Sequence, residues 1–208
     1  MSKSHIVIDE LMREVLQDAY TELKIKEFRI KESPSYNPEL IEQNCEVWLI
    51  LAKEKDGETL DLSGTGVGFV DAAYQSLMTY FSLEYRSLES IEFISFDARA
   101  QIDPDQRAGA DAECTVRLIV ANHDNDRFSF EETGRSMAAV ALKVVVRVVE
   151  FFVNSERAFI LVYKALTDAR NRQRMDLVER FTAQLAGLVK TTSYTQVISQ
   201  IKEEMGLK

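Results

Sequence analysis

Residues 45–81 read CEVWLILAKEKDGETLDLSGTGVGFVDAAYQSLMTYF. The run CEVWLILA is rich in β-branched and aromatic residues, and TLDLSG alternates between apolar and polar side chains, as strands do. Between them, KEKDGE contains the turn pair Asp56-Gly57. After glycines at 64, 66 and 68, apolar residues recur at helical spacing up to Phe81. We therefore predict a β-hairpin followed by an amphipathic helix over 70–81.

The same order of elements occurs again further along the chain. Residues 88–102 alternate as a strand, and AECTVRLIVA then aligns with CEVWLILA so that Cys45 matches Cys114 at an offset of 69 residues. Gly134-Arg135-Ser136 matches Gly66-Val67-Gly68 at an offset of 68, and a helix follows again. Such self-similarity indicates an internal duplication. We predict an α+β fold in which two strand–hairpin–helix units pack together, each sheet covering its own helix.

The helix of the second unit, predicted from Ser136 to Asn154, is apolar around most of its circumference. Its only charges are Lys143, Arg147 and Glu150. A helix of this kind must be buried on several sides. We expect its remaining apolar surface to meet the 70–81 helix, the C-terminal helices or a second copy of the chain.

The flanking segments are predicted to be mainly helical. Periodicity indicates an N-terminal helix over 8–23 and C-terminal helices over Phe159–Leu166 and Leu177–Val189. The stretch 24–44 contains Pro34 and Pro38 and suits a short strand or a connector. The predicted organisation is an N-terminal helix and connector (1–39), a regulatory-type domain (40–155, with repeats at about 40–86 and 87–155) and a C-terminal helical extension (156–208).

Composition narrows the choice of partners and compartment. The chain has 34 acidic and 25 basic residues, a net charge of −9, which repels nucleic acid and anionic membrane surfaces. No long uncharged apolar stretch and no export signal is recognisable. We expect a cytoplasmic protein with neither nucleic acid nor membrane as a partner, and with Cys45 and Cys114 reduced and buried.

Residues suited to catalysis or metal binding are scarce. The only histidines, His5 and His123, lie in the predicted N-terminal tail and in a polar turn, where no nucleophile–base pair is expected. Zinc sites need three or four closely spaced Cys and His ligands, and acidic turns at 103–105 and 124–126 lack the later ligands of a calcium loop. The basic run 170–174 suits a solvated face or a helix junction. We expect no enzymatic activity, no metal and no cofactor.

The glycines at 64–68 allow two interpretations. Free N–H groups at the start of a helix form a site for a carboxylate. Alternatively, these glycines only permit a tight turn. Spacing leaves both interpretations open.

Three segments resemble the C-terminal regulatory domain of 2-isopropylmalate synthase. Gly66-Val67-Gly68-Phe69-Val70-Asp71-Ala72-Ala73-Tyr74 is similar to that family's first-repeat motif, and Gly109-Ala110-Asp111-Ala112 and Phe152-Val153-Asn154 resemble later motifs. The resemblance covers about 40–155 and implies two βββα units related by a pseudo-twofold axis, dimerisation and binding of leucine as a feedback inhibitor. The chain is too short to contain the family's catalytic barrel, so the resemblance implies a free-standing domain acting with a separate catalytic synthase subunit.

The expected ligand is accordingly a branched-chain amino acid or a related small carboxylate. Backbone N–H groups would hold the carboxylate, one acidic side chain would meet an α-ammonium group, and two further side chains would line an apolar pocket. The residues expected in these roles are, respectively, Gly66, Gly68, Gly134 and Ser136; Asp71; and Tyr74 and Met78. The alternative is a structural dimerisation or protein-interaction module that has lost the ligand site. We expect a homodimer in both cases.

Overall fold

In the part of the chain that the structure describes, the fold is built of two three-stranded sheets and four long α-helices. The computed structural model describes residues 3–33, 45–53, 57–100, 112–191, 194, 197–199 and 201. In chain order the elements are α1 (Lys3–Leu16), β1 (Leu23–Glu32), β2 (Cys45–Lys53), β3 (Thr59–Gly66), α2 (Phe69–Phe81), β4 (Glu92–Ala100), β5 (Cys114–Ala121), β6 (Arg127–Gly134), α3 (Met137–Asn171) and α4 (Met175–Leu188). Strands β1–β3 form one antiparallel sheet and β4–β6 form the other. The predicted α+β fold with two repeats is confirmed.

The strand register shows the same irregularity in both repeats. The β1–β2 ladder has a β-bulge between Ile25 and Glu27, and the β4–β5 ladder has one between Phe93 and Ser95. The two bulge residues, Lys26 and Ile94, are 68 positions apart, which is also the offset between the first residues of α2 and α3. A bulge is a specific feature of a strand pair, so its recurrence supports duplication of a βββα unit.

Each helix lies against its own sheet. Alternate residues of β2 and β5 are buried, as period-two burial of one sheet face requires. Helix α2 approaches β3 so closely that a Cβ atom added to Gly66 would lie 2.5 Å from the backbone nitrogen of Ala72. One added to Gly64 would lie 2.5 Å from the carbonyl oxygen of the same residue. Both glycines therefore allow the helix to pack directly on the strand.

The N-terminal segment contributes more to the first repeat than the sequence suggested. Strand β1 pairs along its length with β2, so the first repeat begins at Leu23 and not near residue 40. The predicted helix over 8–23 instead spans Lys3–Leu16, and Gln17 then adopts a positive φ of 47°. A left-handed residue ends an α-helix, which frees the following residues to enter the sheet.

Helix α3 continues well past its predicted end near Asn154, to Asn171. The polar residues at this position, Asn154 and Glu156, are buried and bonded to distant segments. Asn154 exchanges hydrogen bonds with the backbone of Thr21, and Glu156 accepts one of 2.9 Å from the N–H of Ser87. With these groups satisfied and no glycine or proline nearby, nothing stops the helix. It packs against α1, α2, α4, β5 and β6, which confirms burial on several sides.

The remaining expectations for the fold are partly met. Phe159–Leu166, predicted as a separate helix, belongs to α3, and α4 covers most of the predicted 177–189 helix. The basic run 170–174 lies at the junction between α3 and α4, as one of the two interpretations held. Both cysteines are free thiols and buried, as predicted. None of the helices in the described part of the chain has the length and apolarity that crossing a bilayer requires.

Candidate functional site

The predicted site residues of the first repeat gather at the junction of β3 and α2. Asp71 lies in the first turn of α2 and accepts a hydrogen bond of 3.1 Å from the backbone N–H of Val67. The chain's own carboxylate thus interacts with an N–H group in the region where the sequence placed a ligand carboxylate. Gly68 is the N-cap residue of α2, and a Cβ added to it would meet nothing within 4 Å. Gly68 therefore faces open space at this junction, whereas Gly64 and Gly66 lie against α2.

Tyr74 and Met78 lie one and two turns further along α2. Tyr74 is buried, donates a hydrogen bond of 3.0 Å to the carbonyl oxygen of Ile91, and meets the ring of Phe93 edge to face at 5.6 Å. Its burial raises the pKa of the Tyr74 hydroxyl. Met78 is half-buried against the core. Tyr74 thus ties α2 to the residues that lead into β4.

The predicted residues of the second repeat lie at the equivalent junction of β6 and α3. A Cβ added to Gly134 would lie 2.8 Å from a methyl carbon of Val140, so this glycine allows close packing. Ser136 is the N-cap residue of α3, and its hydroxyl accepts a hydrogen bond of 3.4 Å from the N–H of Ala139. In both repeats the junction residues therefore have a structural role whether or not they bind a ligand.

A cavity of about 650 Å³ lies between the two repeats. Its walls come from α1, from β1 and the residues before it, from β6 and from α3. The lining residues are His5, Asp9, Arg13, Tyr20, Glu22, Leu23, Lys24, Ile25, Lys26, Phe28, Phe130, Ala139, Lys143, Val146, Arg147, Glu150 and Phe151. None of the predicted site residues lines it. Ala139, which occupies in the second repeat the position of Asp71 in the first, does.

One part of the cavity wall is apolar. Ile25 and Phe28 of β1 pair with the buried residues Leu51 and Leu49, so their side chains lie on the face of the first sheet that is turned to the core. Phe130 of β6 and Val146 and Phe151 of α3 complete this surface. An apolar group of a ligand would be removed from water here.

The rest of the wall carries paired charges. Arg13 of α1 bonds to Asp9 at 3.0 Å and to Glu22 at 2.9 Å. On α3, the lining residues Lys143 and Arg147 donate hydrogen bonds to Glu132 of β6, which does not itself line the cavity. Although burial opposes it, these two bonds hold the pKa of the Glu132 carboxyl below its ordinary value.

Glu150 is the carboxyl group placed most deeply among the apolar residues of the cavity. Its Oε1 atom accepts a hydrogen bond from the backbone N–H of Leu23. Burial raises the pKa of Glu150 to about 7, although the Leu23 N–H and the charge of Arg147 lower it. Glu150 therefore changes charge near neutral pH, a property that functional carboxyl groups often share.

His5 lines the cavity on the α1 side. Its ring is buried and lies edge-on to Phe130 at 4.6 Å and to Phe151 at 4.3 Å. Burial lowers the pKa of His5 to about 4, so the ring is neutral at pH 7. The sequence placed this residue in a tail, but the buried stripe of Ile8, Met12 and Leu16, extended by one helical turn, reaches position 5.

Metal binding finds no support in the described residues. Within them, no group of three or more His, Cys, Asp or Glu side chains is arranged to hold a metal ion. At the acidic turn 124–126, the Asn122 side-chain oxygen accepts hydrogen bonds from the backbone N–H groups of Asp124 and Asp126. The Asn122 side chain therefore stabilises this turn. The other acidic turn, at 103–105, and the motif residues Gly109, Ala110 and Asp111 lie outside the described residues.

No protein-family model matches this chain, and no curated protein shows significant similarity to it. The resemblance to the regulatory domain of 2-isopropylmalate synthase therefore stays a hypothesis.

Proposed function

We propose that this protein is a non-catalytic regulatory domain, similar to the allosteric domain of 2-isopropylmalate synthase, that binds a branched-chain amino acid or a related small carboxylate. The observation that carries the proposal is the cavity between the repeats, with an apolar surface on one side and charged groups of both signs on the other. Its volume of about 650 Å³ lies in the range of small-molecule sites.

The position of the cavity suits regulation. Its walls belong to β1 of the first repeat, to α3 of the second and to α1, which precedes both. A ligand that contacts all three stabilises one arrangement of the repeats over others, because it binds that arrangement more tightly. The duplicated βββα architecture and the motif at 66–74 support the family part of the proposal. In this view the protein acts in the cytoplasm beside a separate catalytic synthase subunit.

Calorimetry and thermal unfolding with leucine, isoleucine and valine test the ligand. A ligand at 100 times its Kd stabilises the fold by about 2.7 kcal/mol, which for a chain of this length raises Tm by roughly 5–10 °C. No heat and no change in Tm at millimolar concentrations of all three amino acids would refute the proposal.

Two substitutions on neighbouring residues of α3 test the location. Ala139 lines the cavity, whereas Ala138 does not. Both alanines are half-buried. Ala139→Phe should fill the space and abolish binding, whereas Ala138→Phe should preserve it. Asp71→Asn tests the predicted site at the junction of β3 and α2. If Asp71→Asn abolishes binding and Ala139→Phe preserves it, the ligand binds at the start of α2 and not in the cavity.

One observation favours the structural alternative, a dimerisation or interaction module. Strand β4 is an edge strand, and its Phe93, Ile94 and Phe96 are 39%, 40% and 36% exposed. Phe93 and Phe96 pair with the buried Val120 and Leu118, so they lie on the core-facing side of the second sheet. We propose a homodimer that covers this apolar strand. A dimer that forms without any ligand binding would favour the module over the regulatory domain.

A further inference from the structure

Most polar groups around the cavity already have partners. Arg13 forms ion pairs with both Asp9 and Glu22. Lys143 and Arg147 bond to Glu132, and His5 and Lys24 have interactions of their own. Among the charged lining groups in the described part of the chain, two remain available to a ligand: the Lys26 ammonium and the Oε2 atom of Glu150.

Lys26 occupies its position because of the bulge in β1. As the extra residue between Ile25 and Glu27, it is not paired with a residue of β2, and a bulge of this kind redirects a side chain. Its side chain is exposed, lines the cavity, and has no ion pair within the described residues. At the corresponding bulge of the second repeat the residue is Ile94.

Glu150 is held at one oxygen only. The Leu23 N–H fixes Oε1, and no described group donates a hydrogen bond to Oε2. The repeat offset of 68 residues places Ser82, just past the end of α2, at the position of Glu150. Neither Lys26 nor Glu150 therefore has a charged counterpart at the equivalent position of the other repeat.

We infer that the cavity binds a zwitterionic α-amino acid with an apolar side chain, its carboxylate on Lys26, its ammonium group on Oε2 of Glu150 and its side chain on the apolar surface at Phe28. This inference rests on the proposed function and narrows its ligand to compounds that carry both charges. Charge-assisted hydrogen bonds at both ends give the selectivity: a ligand lacking the carboxylate loses the bond to Lys26, and a ligand lacking the ammonium group leaves the partly buried Glu150 carboxylate with one oxygen unpaired. An ammonium group beside Glu150 also favours the ionised carboxylate, which the free protein populates only in part at pH 7.

Three probes of nearly equal shape test the wild-type protein. L-Leucine carries both charges, 4-methyl-2-oxopentanoate lacks the ammonium group, and 3-methylbutylamine lacks the carboxylate. Calorimetry at pH 7.5 should give leucine an affinity at least about tenfold higher than either analogue. Equal affinities for leucine and the keto acid would overturn the zwitterion inference and leave the proposed function intact. No binding of any probe would overturn both.

Charge-neutral variants then assign the two ends. Glu150→Gln keeps an oxygen that accepts the hydrogen bond from the Leu23 N–H. It should lower the affinity for leucine about tenfold and change the affinity for the keto acid by less than about twofold. Lys26→Gln should lower the affinities for leucine and the keto acid but not the affinity for the amine. Lys31→Gln, on the same strand and outside the cavity, is the control and should change none of the three. A Glu150 variant that weakens leucine and the keto acid equally would show a structural role instead and overturn the assignment.

Discussion

The Glu150 carboxyl group of α3 accepts the backbone N–H of Leu23 at the first residue of β1. These two residues are 127 positions apart, and the bond joins the helix of the second repeat to the sheet of the first. The Asn154 amide, one turn further along α3, bonds to the backbone of Thr21 just before this strand. Two successive turns of α3 thus hold the start of the first sheet and form one side of the cavity.

We predict that Glu150→Gln stabilises the protein above neutral pH. The pKa of Glu150 is raised from 4.5 to about 7 in the folded state, so the fold binds this proton more tightly than the unfolded chain does. The ionised group therefore costs stability above pH 7, by roughly 3 kcal/mol, and the cost disappears as the pH falls to 4.5. Urea unfolding at pH 8 and at pH 4.5 should show the variant more stable than wild type at pH 8 only. A difference that does not vary with pH would contradict the assignment.

His5 should have the opposite pH dependence. Its pKa is lowered from 6.5 to about 4, so between these values the unfolded chain binds a proton that the fold excludes. Its contribution to stability is fully present above pH 6.5 and falls by roughly 3 kcal/mol as the pH drops to 4. In His5→Leu this acid-dependent loss should be absent. His123→Gln, which removes the chain's other histidine from an exposed turn, should unfold with acid as wild type does.

The two groups act against each other in wild type between pH 4.5 and 6.5. Their charged neighbours belong to three segments: Asp9 and Arg13 on α1; Glu22, Lys24 and Lys26 at the start of the first sheet; and Lys143 and Arg147 on α3. A nearly flat stability profile of wild type in this range is therefore compatible with both shifts, and the single variants are needed to separate them.

Gly66→Ala should destabilise the fold by about 1–3 kcal/mol, because the new Cβ would lie 2.5 Å from the backbone of Ala72. Gly68→Ala is the matched control two residues later, where a Cβ meets nothing within 4 Å and the backbone is extended. It should cost less than about 1 kcal/mol, the usual effect at an N-cap. Chemical unfolding of both variants separates the packing role of Gly66 from any role in binding. Equal losses at the two positions would contradict the close approach of α2 and β3.

Local patterns predicted the repeats well and could not predict the cavity. Alternation in β3 and β4, the β-branched and aromatic residues of β2, and helical spacing in α2 depend on neighbouring residues, so the sequence shows them directly. The cavity depends on contact between β1 and α3, which are more than a hundred positions apart, and no periodicity reports such a contact. The predicted end of α3 near Asn154 failed for a related reason. The polar residues near this position, Asn154 and Glu156, have their partners, Thr21 and Ser87, in distant segments.

The exposed apolar residues lead to a prediction about assembly that also separates two candidate interfaces. Ile94 lies on the edge strand β4 and Leu161, 50% exposed, lies on the second half of α3. A lysine on an edge strand prevents pairing with another strand, so Ile94→Lys should turn a homodimer into monomers if the dimer forms through β4. Leu161→Glu should do so if the dimer uses the C-terminal helices. Light scattering at tens of micromolar, with circular dichroism to confirm folding, distinguishes the two, and a wild-type chain that is monomeric at this concentration would exclude the homodimer.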